Sequence, residues 1–183
     1  EKLYTGGLEV YTSINIPMQQ AAEKAVRDNL RNHDKRQGFR ALKAPLDQQA
    51  QTVFINEQLT HLKDKPLEPG LLIKALVIGG NTDQINCQLG DREGLIQIKN
   101  AKWAAPLLVV DSDVEPSGNA ERGKTSRIPI GSLIEVEVLE IPETGPLLLA
   151  LDQHPLGQGA LIASAPETGQ IKAMVGGYDF TES

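Results

Sequence analysis

The sequence predicts a mainly β protein with one or two helices, in which a five-stranded barrel is inserted into a small strand-helix-hairpin α/β unit. Three observations carry that expectation. Residues 66–155 form a succession of short period-two segments broken by Gly, Asn and Asp turns, only one segment keeps a long helical period, and charge is divided unevenly along the chain. The 183 residues carry a net charge of -6. Seven Lys/Arg and thirteen Asp/Glu lie between Pro66 and Pro155, against eleven of each elsewhere. The excess negative charge therefore belongs to the middle, where it repels phosphate backbones rather than collecting them. Hydrophobic residues at 40% and charged residues at 23% match an ordinary globular protein. No apolar stretch approaches the roughly 18 residues of a membrane span. Cys87 is the single cysteine, so no internal disulfide forms and the redox compartment stays open. The first residues lack a basic and then apolar leader, so any targeting signal is expected outside this chain.

In chain order, Leu8-Glu-Val-Tyr-Thr-Ser-Ile-Asn15 alternates Leu8, Val10, Thr12 and Ile14 with more polar or exposed types and reads as a strand. Asn15 stands at a helix N-cap position, with Pro17 in the first turn, where a missing N–H costs nothing. Met18, Ala22, Ala25, Val26, Asn29 and Leu30 recur at helical spacing. They predict an amphipathic helix ending between His33 and Gly38, with Arg31, Lys35 and Arg36 at its negative end. From Phe39 to Leu67 the apolar positions keep no clear period; Thr52-Val-Phe-Ile55 is read as a short strand within a linker over 41–65. Pro66 and Pro69-Gly70 punctuate the chain.

Strands come next at Leu71 to Ile78, Gln84 to Leu89 and Leu95 to Lys99, with turns over 79–81 and 90–94. An irregular stretch holds Trp103, Leu107 to Val110 and a polar loop from Asp111 to Arg127. Strands at Ser132 to Ile141 and Leu147 to Leu151 close the zone. Five short antiparallel strands with an irregular insertion between the third and fourth make the pattern of an OB-type barrel. An open meander fits the same pattern; the barrel is preferred because closure leaves few unpaired backbone groups. Finally, Gly159 to Ala165 and Gln170 to Val175, joined by Pro166-Glu-Thr-Gly169, form a hairpin. Two strands are too few to stand alone, so the hairpin is expected to pack on the amino-terminal strand and helix, with the barrel inserted between them. The division is 1–40, strand and helix; 41–65, linker; 66–155, barrel; 156–183, hairpin.

Few residues carry a chemical signal. Gly118-Asn-Ala-Glu-Arg-Gly-Lys-Thr125 fits the phosphate-binding pattern G-x-x-x-x-G-K-[ST]. That pattern needs a strand running directly into the loop and a helix leaving it. Here seven residues separate Val110 from Gly118, Pro129 and Gly131 discourage a helix, and Asp111, Asp113, Glu115 and Glu121 add negative charge where phosphate would sit. The segment reads as an exposed Gly-rich loop, and no nucleotide is expected. His33, His61 and His154 lack partners at ligand spacing, so neither a metal nor another cofactor is expected. Cys87 alternates with Ile85 and Leu89 and reads as a buried inert thiol. Trp103 reads as a core anchor, and Glu135, Glu137 and Glu140 as the solvated face of a strand.

Gly6-Gly-Leu-Glu-Val-Tyr-Thr-Ser-Ile-Asn-Ile-Pro-Met-Gln-Gln-Ala-Ala-Glu-Lys-Ala-Val26 resembles the strand and helix that introduce the transpeptidase region of bifunctional, class A penicillin-binding proteins. Leu151-Asp-Gln-His-Pro155, Gln158-Gly-Ala-Leu161, Pro166-Glu-Thr-Gly169 and Ala173-Met-Val-Gly-Gly-Tyr-Asp-Phe180 resemble the hairpin that opens the same domain. Lys102-Trp-Ala104 is similar to a tryptophan-alanine pair in the OB-like insert of one subgroup. Ser13 and Asn15 depart from the threonine and aspartate frequent there, which leaves strand and cap chemistry intact. The family's Ser-x-x-Lys nucleophile is not found: none of Ser13, Ser112, Ser117, Ser126, Ser132, Ser164 and Ser183 has lysine three positions later within the chain, and Lys124-Thr-Ser126 is not Lys-Thr-Gly. The resemblance thus implies a non-catalytic fragment of a peptidoglycan glycosyltransferase and transpeptidase, itself without either activity. It implies a periplasmic location, an inner-membrane anchor outside this chain, and contact with the parent's other domains. In that reading the barrel is a regulatory or spacer module that docks a periplasmic or outer-membrane lipoprotein activator, with Asp111, Asp113, Glu115 and Glu121 as speculative partner-binding residues. The alternative is an OB-type binder of single-stranded nucleic acid, disfavoured by 4% aromatic residues and an acidic barrel. A free-standing enzyme ranks third.

Overall fold

The computed structural model describes residues 9, 11–40, 44–104, 107–110 and 126–178, the side chains of 107–110 and 126–127 excepted. The chain divides into two units, one drawn from its two ends, up to His33 and from Pro155, and one comprising Asp34–His154.

Helix α1 (Ile16–Arg36), which belongs to the first unit up to His33, begins where the Met18 N–H donates to Asn15 Oδ1 at 3.0 Å. It ends as Gly38 adopts φ 87°, a left-handed value that suits only glycine well. Its buried stripe, Ala22 and Val26, is narrower than predicted, because Met18, Ala25 and Asn29 stay exposed. Strands β8 (Ala160–Ser164) and β9 (Ile171–Gly176) pair antiparallel. Their turn closes with the Gly169 N–H on the Ala165 carbonyl at 2.8 Å. The predicted strand over Leu8 to Asn15 does not form across Tyr11–Asn15; its earlier part, except Glu9, lies outside the described residues. This segment still runs along β9: the Asn15 N–H donates to the Lys172 carbonyl at 2.9 Å and Ser13 Oγ to that of Ile171 at 2.8 Å.

The second unit is built on a closed barrel. Strands β1 (Leu72–Gly80), β2 (Gln84–Leu89), β3 (Arg92–Gln97), β6 (Leu133–Glu140) and β7 (Leu147–Asp152) join in the order β1-β2-β3-β7-β6, with β6 returning to β1. The β3–β7 pair is parallel and the other four pairs are antiparallel. These are the five predicted strands. Alternation sends Ala75, Val77, Ile85, Cys87, Leu89, Ile96, Ile134, Val136, Val138, Leu147, Leu149 and Leu151 into one core. A two-residue turn joins β2 to β3, with Gly90 in its first position at φ 59°, as a II′ hairpin requires. The predicted turn was too long: Arg92, Glu93 and Gly94 already belong to β3, while Ile98–Asn100 forms a single 3-10 turn instead of extending the strand. Between β3 and β6 lie a second 3-10 turn, Lys102–Ala104, and a parallel pair, β4 (Leu107–Val110) and β5 (Ser126–Pro129).

The strand read over Thr52-Val-Phe-Ile55 is overturned. These residues lie inside helix α2 (Gln48–Asp64), capped where Asp47 accepts the Ala50 N–H at 2.8 Å. Its inward stripe is Gln51, Phe54, Ile55, Gln58, Leu59 and Leu62, a helical repeat in which two glutamines occupy positions normally apolar. Polar residues on the inner face hid the period. Gln58 is 7% exposed and bonded through both ends of its amide: its Nε2 donates to the Lys74 carbonyl at 2.6 Å, and its Oε1 accepts the Gly90 N–H at 2.7 Å. Leu59 and Leu62 close over the same turn.

Gln58→Ala leaves those two backbone groups without their partner and is expected to destabilise the chain by about 2 kcal/mol or more, since each such group costs roughly 1–3 kcal/mol. Gln58→Glu, which opposes an acceptor to the Lys74 carbonyl, is expected to be no milder; urea unfolding measures both. Burial pushes the Cys87 thiol up from 9.0 to about 12. The unfolded thiol thus ionises first, and this contribution to stability is lost as pH rises from about 9 towards 12. Native protein at pH 8 is expected to resist iodoacetamide, and urea-unfolded protein to be alkylated completely, as mass spectrometry would record.

Candidate functional site

Where the chain enters and leaves the barrel unit, a set of residues interlocks, all of them within Asp34–His154. Arg40 Nη1 lies 2.6 and 2.7 Å from the two carboxylate oxygens of Asp34, and Nη2 donates to the His154 carbonyl. Lys35 Nζ pairs with Asp152 at 3.0 Å, where the carboxylate side chain is only 1% exposed. Gln153 bridges the same segments, its Nε2 donating to the Gly38 carbonyl at 3.0 Å and its Oε1 accepting the Arg40 N–H at 3.2 Å. Phe39 meets Trp103 edge to face at 5.9 Å, and Lys35 Nζ stands 5.5 Å from the indole centroid. Each charged group therefore has a partner in a partly dry site, which is the condition for burying it at all.

This clamp revises several sequence readings. Trp103 is an anchor, as read, but it holds the incoming chain as well as packing on the barrel core. Glu135 is not merely solvated: it accepts the His154 N–H, and both Glu135 and Glu137 are half-buried while Glu140 is exposed. Lys35 was visible only as a helix-end charge. Asp34 and Arg40 gave no signal, and Asp152 and Gln153 none beyond the family resemblance of Leu151–Pro155, because their partners are more than a hundred residues apart or obey no local spacing. The residues read as partner-binding, Asp111, Asp113, Glu115 and Glu121, and the loop Gly118–Thr125, lie outside the described residues. Directly after Thr125 the chain enters strand β5, not the helix a phosphate loop needs. Among the described residues, no three His, Cys, Asp or Glu side chains cluster to hold a metal, and no helix is long and apolar enough to cross a membrane.

The second candidate is the outer face of β2 and β3, the face through which OB-type barrels bind oligonucleotides and oligosaccharides. Its cross-strand pairs are Gln84 with Gln97, Asn86 with Leu95, and Gln88 with Glu93. None is aromatic or cationic. Both flanking loops are tied down. Asn81 Oδ1 accepts the N–H groups of Asp83 and Gln84 at 2.8 and 3.0 Å, and Arg92 Nη2 donates to the carbonyls of Pro142 and Gly145 at 2.8 and 3.1 Å.

Arg40→Ala is expected to lower stability by about 2–4 kcal/mol, less than a fully buried pair because the guanidinium is partly exposed. Arg40→Lys keeps the charge and is expected to recover part of that loss. Fluorescence of Trp103, the single tryptophan, reports the unfolding.

No family model matches the chain. It is 34% identical over 188 residues to penicillin-binding protein 1A of Rickettsia felis, 29% over 185 residues to that of Escherichia coli, and 27% over 181 residues to that of Pseudomonas aeruginosa. The first two alignments cover 100% of this chain and the third 98%, in each case against 20% of the relative. The chain thus spans about a fifth of the length of these relatives. The crystal structure of penicillin-binding protein 1A from Haemophilus influenzae superposes with a TM-score of 0.62 over 95% of this chain and 23% of that one, at 24% identity, which makes the likeness one of fold. Along its whole length, therefore, this chain belongs to the class A penicillin-binding proteins, as one segment of such a protein.

Proposed function

We propose that the chain is a non-catalytic segment of a peptidoglycan synthase: its two ends open a transpeptidase domain, and its barrel is a regulatory or spacer module carried between them, which docks a protein activator. The observation that supports this reading most is collinearity. Each alignment to a penicillin-binding protein 1A covers 100% of this chain, in order from the amino-terminal helix through the barrel to the hairpin. The hairpin adds a physical argument. One of its faces holds buried Ala173, while the other leaves Ile162 and Met174, a cross-strand pair, 66% and 56% exposed. A two-stranded sheet with an apolar outer face awaits further structure. Within the sequence no serine has lysine three positions later, so acylation by penicillin is assigned to another part of the synthase. Glycan polymerisation and peptide cross-linking belong to the whole synthase, which works on the periplasmic side of the inner membrane. The nucleic-acid reading gains nothing from the outer face of β2 and β3, which offers neither stacking rings nor cations.

Replacing residues 34–154 by a short Gly/Ser linker in the full-length synthase tests the proposal. Acylation by fluorescent penicillin is expected to persist, while stimulation of glycan synthesis by a periplasmic extract is lost. Unchanged stimulation would remove the docking role and leave a spacer. Acylation of this chain alone by penicillin would contradict the non-catalytic assignment.

A further inference from the structure

The outer face of β2 and β3 has a composition that neither the core nor docking of an activator requires. Four primary amides, Gln84, Asn86, Gln88 and Gln97, stand on it with one carboxylate, Glu93, opposite Gln88, whose own Nε2 donates to the Gly90 carbonyl at 3.2 Å. A primary amide both donates and accepts, so a row of them matches a ligand whose groups do the same and which carries no phosphate. The amides border an apolar ridge: Leu95 pairs with Leu148 of β7, and both are half-buried, leaving part of each side chain to meet the C–H face of a sugar. Gln84 Nε2 already donates to Asn86 Oδ1 at 3.1 Å, which orders two of the amides before any ligand arrives. The two pinned loops bound the face at its ends, so the surface is pre-organised.

We infer that this face is a glycan-binding site, taking the uncharged, hydroxyl- and acetamido-bearing backbone of a peptidoglycan strand along β2 and β3. The choice of glycan rests on the proposed role in a peptidoglycan synthase. The barrel would then hold polymer near the synthase without contributing to either reaction. Affinity from a few neutral hydrogen bonds and one apolar ridge is weak, on the order of millimolar for a short oligomer.

The test is titration of the isotopically labelled 183-residue chain with a hexamer of N-acetylglucosamine, followed by NMR of backbone and side-chain amides. Saturable shifts confined to Gln84, Asn86, Gln88, Leu95, Gln97 and their neighbours are expected. Asn86→Ala with Gln97→Ala should weaken binding about tenfold, two lost hydrogen bonds of roughly 0.7 kcal/mol each. Asn86→Asp, which keeps size and fold, should weaken it as well. No shift at several millimolar hexamer, or shifts mapping elsewhere, would overturn the site, as would an oligothymidylate binding this face more tightly than the hexamer. Penicillin acylation of the full-length synthase does not depend on this face, so its failure to bind glycan leaves the peptidoglycan-synthase role standing.

Discussion

Closure of the barrel is the constraint on which the second unit depends. Five strands of six to nine residues cannot each bury a face and satisfy their backbone as an open sheet without exposing two edges. Pairing β6 with β1 removes both edges, and the parallel β3–β7 pair makes that return possible. Once the sheet is closed, alternate residues have nowhere to go but inward. Small residues then matter as much as large ones: a Cβ on Gly94 would come within 2.3 Å of Leu149 Cδ1, so glycine there lets the core fill with leucine from the neighbouring strand β7.

Closure by itself leaves two weak points, and polar groups secure both. At the β2–β3 turn the Gly90 N–H faces inward towards α2, and Gln58 takes it up together with the Lys74 carbonyl. At the other, the chain passes into and out of the unit, and Asp34, Lys35, Arg40, Asp152 and Gln153 tie the incoming to the outgoing segment. In each case a buried polar side chain is tolerated because its partners are in place, which also fixes one arrangement among the many that apolar packing would accept.

The charge division sharpens in the same way. Taken over 66–155 the barrel zone carries all the excess negative charge, but the unit that folds together begins at Asp34 and includes thirteen Lys/Arg against seventeen Asp/Glu. The helix and the clamp bring cations back to the barrel. The unit as a whole is still acidic, at -4 against -6 for residues 66–155, and on the outer face of β2 and β3 the amides stand beside a single carboxylate, Glu93.

Period-two alternation, turn chemistry and one capped helical repeat were enough to place the five barrel strands, the hairpin and the first helix, because those signals are local and repeat within a few residues, although the same alternation over Leu8 to Asn15 formed no strand across Tyr11–Asn15. The family resemblance of the two ends was equally legible in the letters. Tertiary structure alone decided the rest. Helix α2 escaped notice because Gln51 and Gln58 occupy its inner stripe, and an amide is inward-facing only where a carbonyl and an N–H from distant strands await it. Arg40 and Asp152 became a clamp only when the fold joined segments separated by more than a hundred residues. Hydrophobic period is written along the chain, whereas the partner of a buried polar group is chosen by the fold.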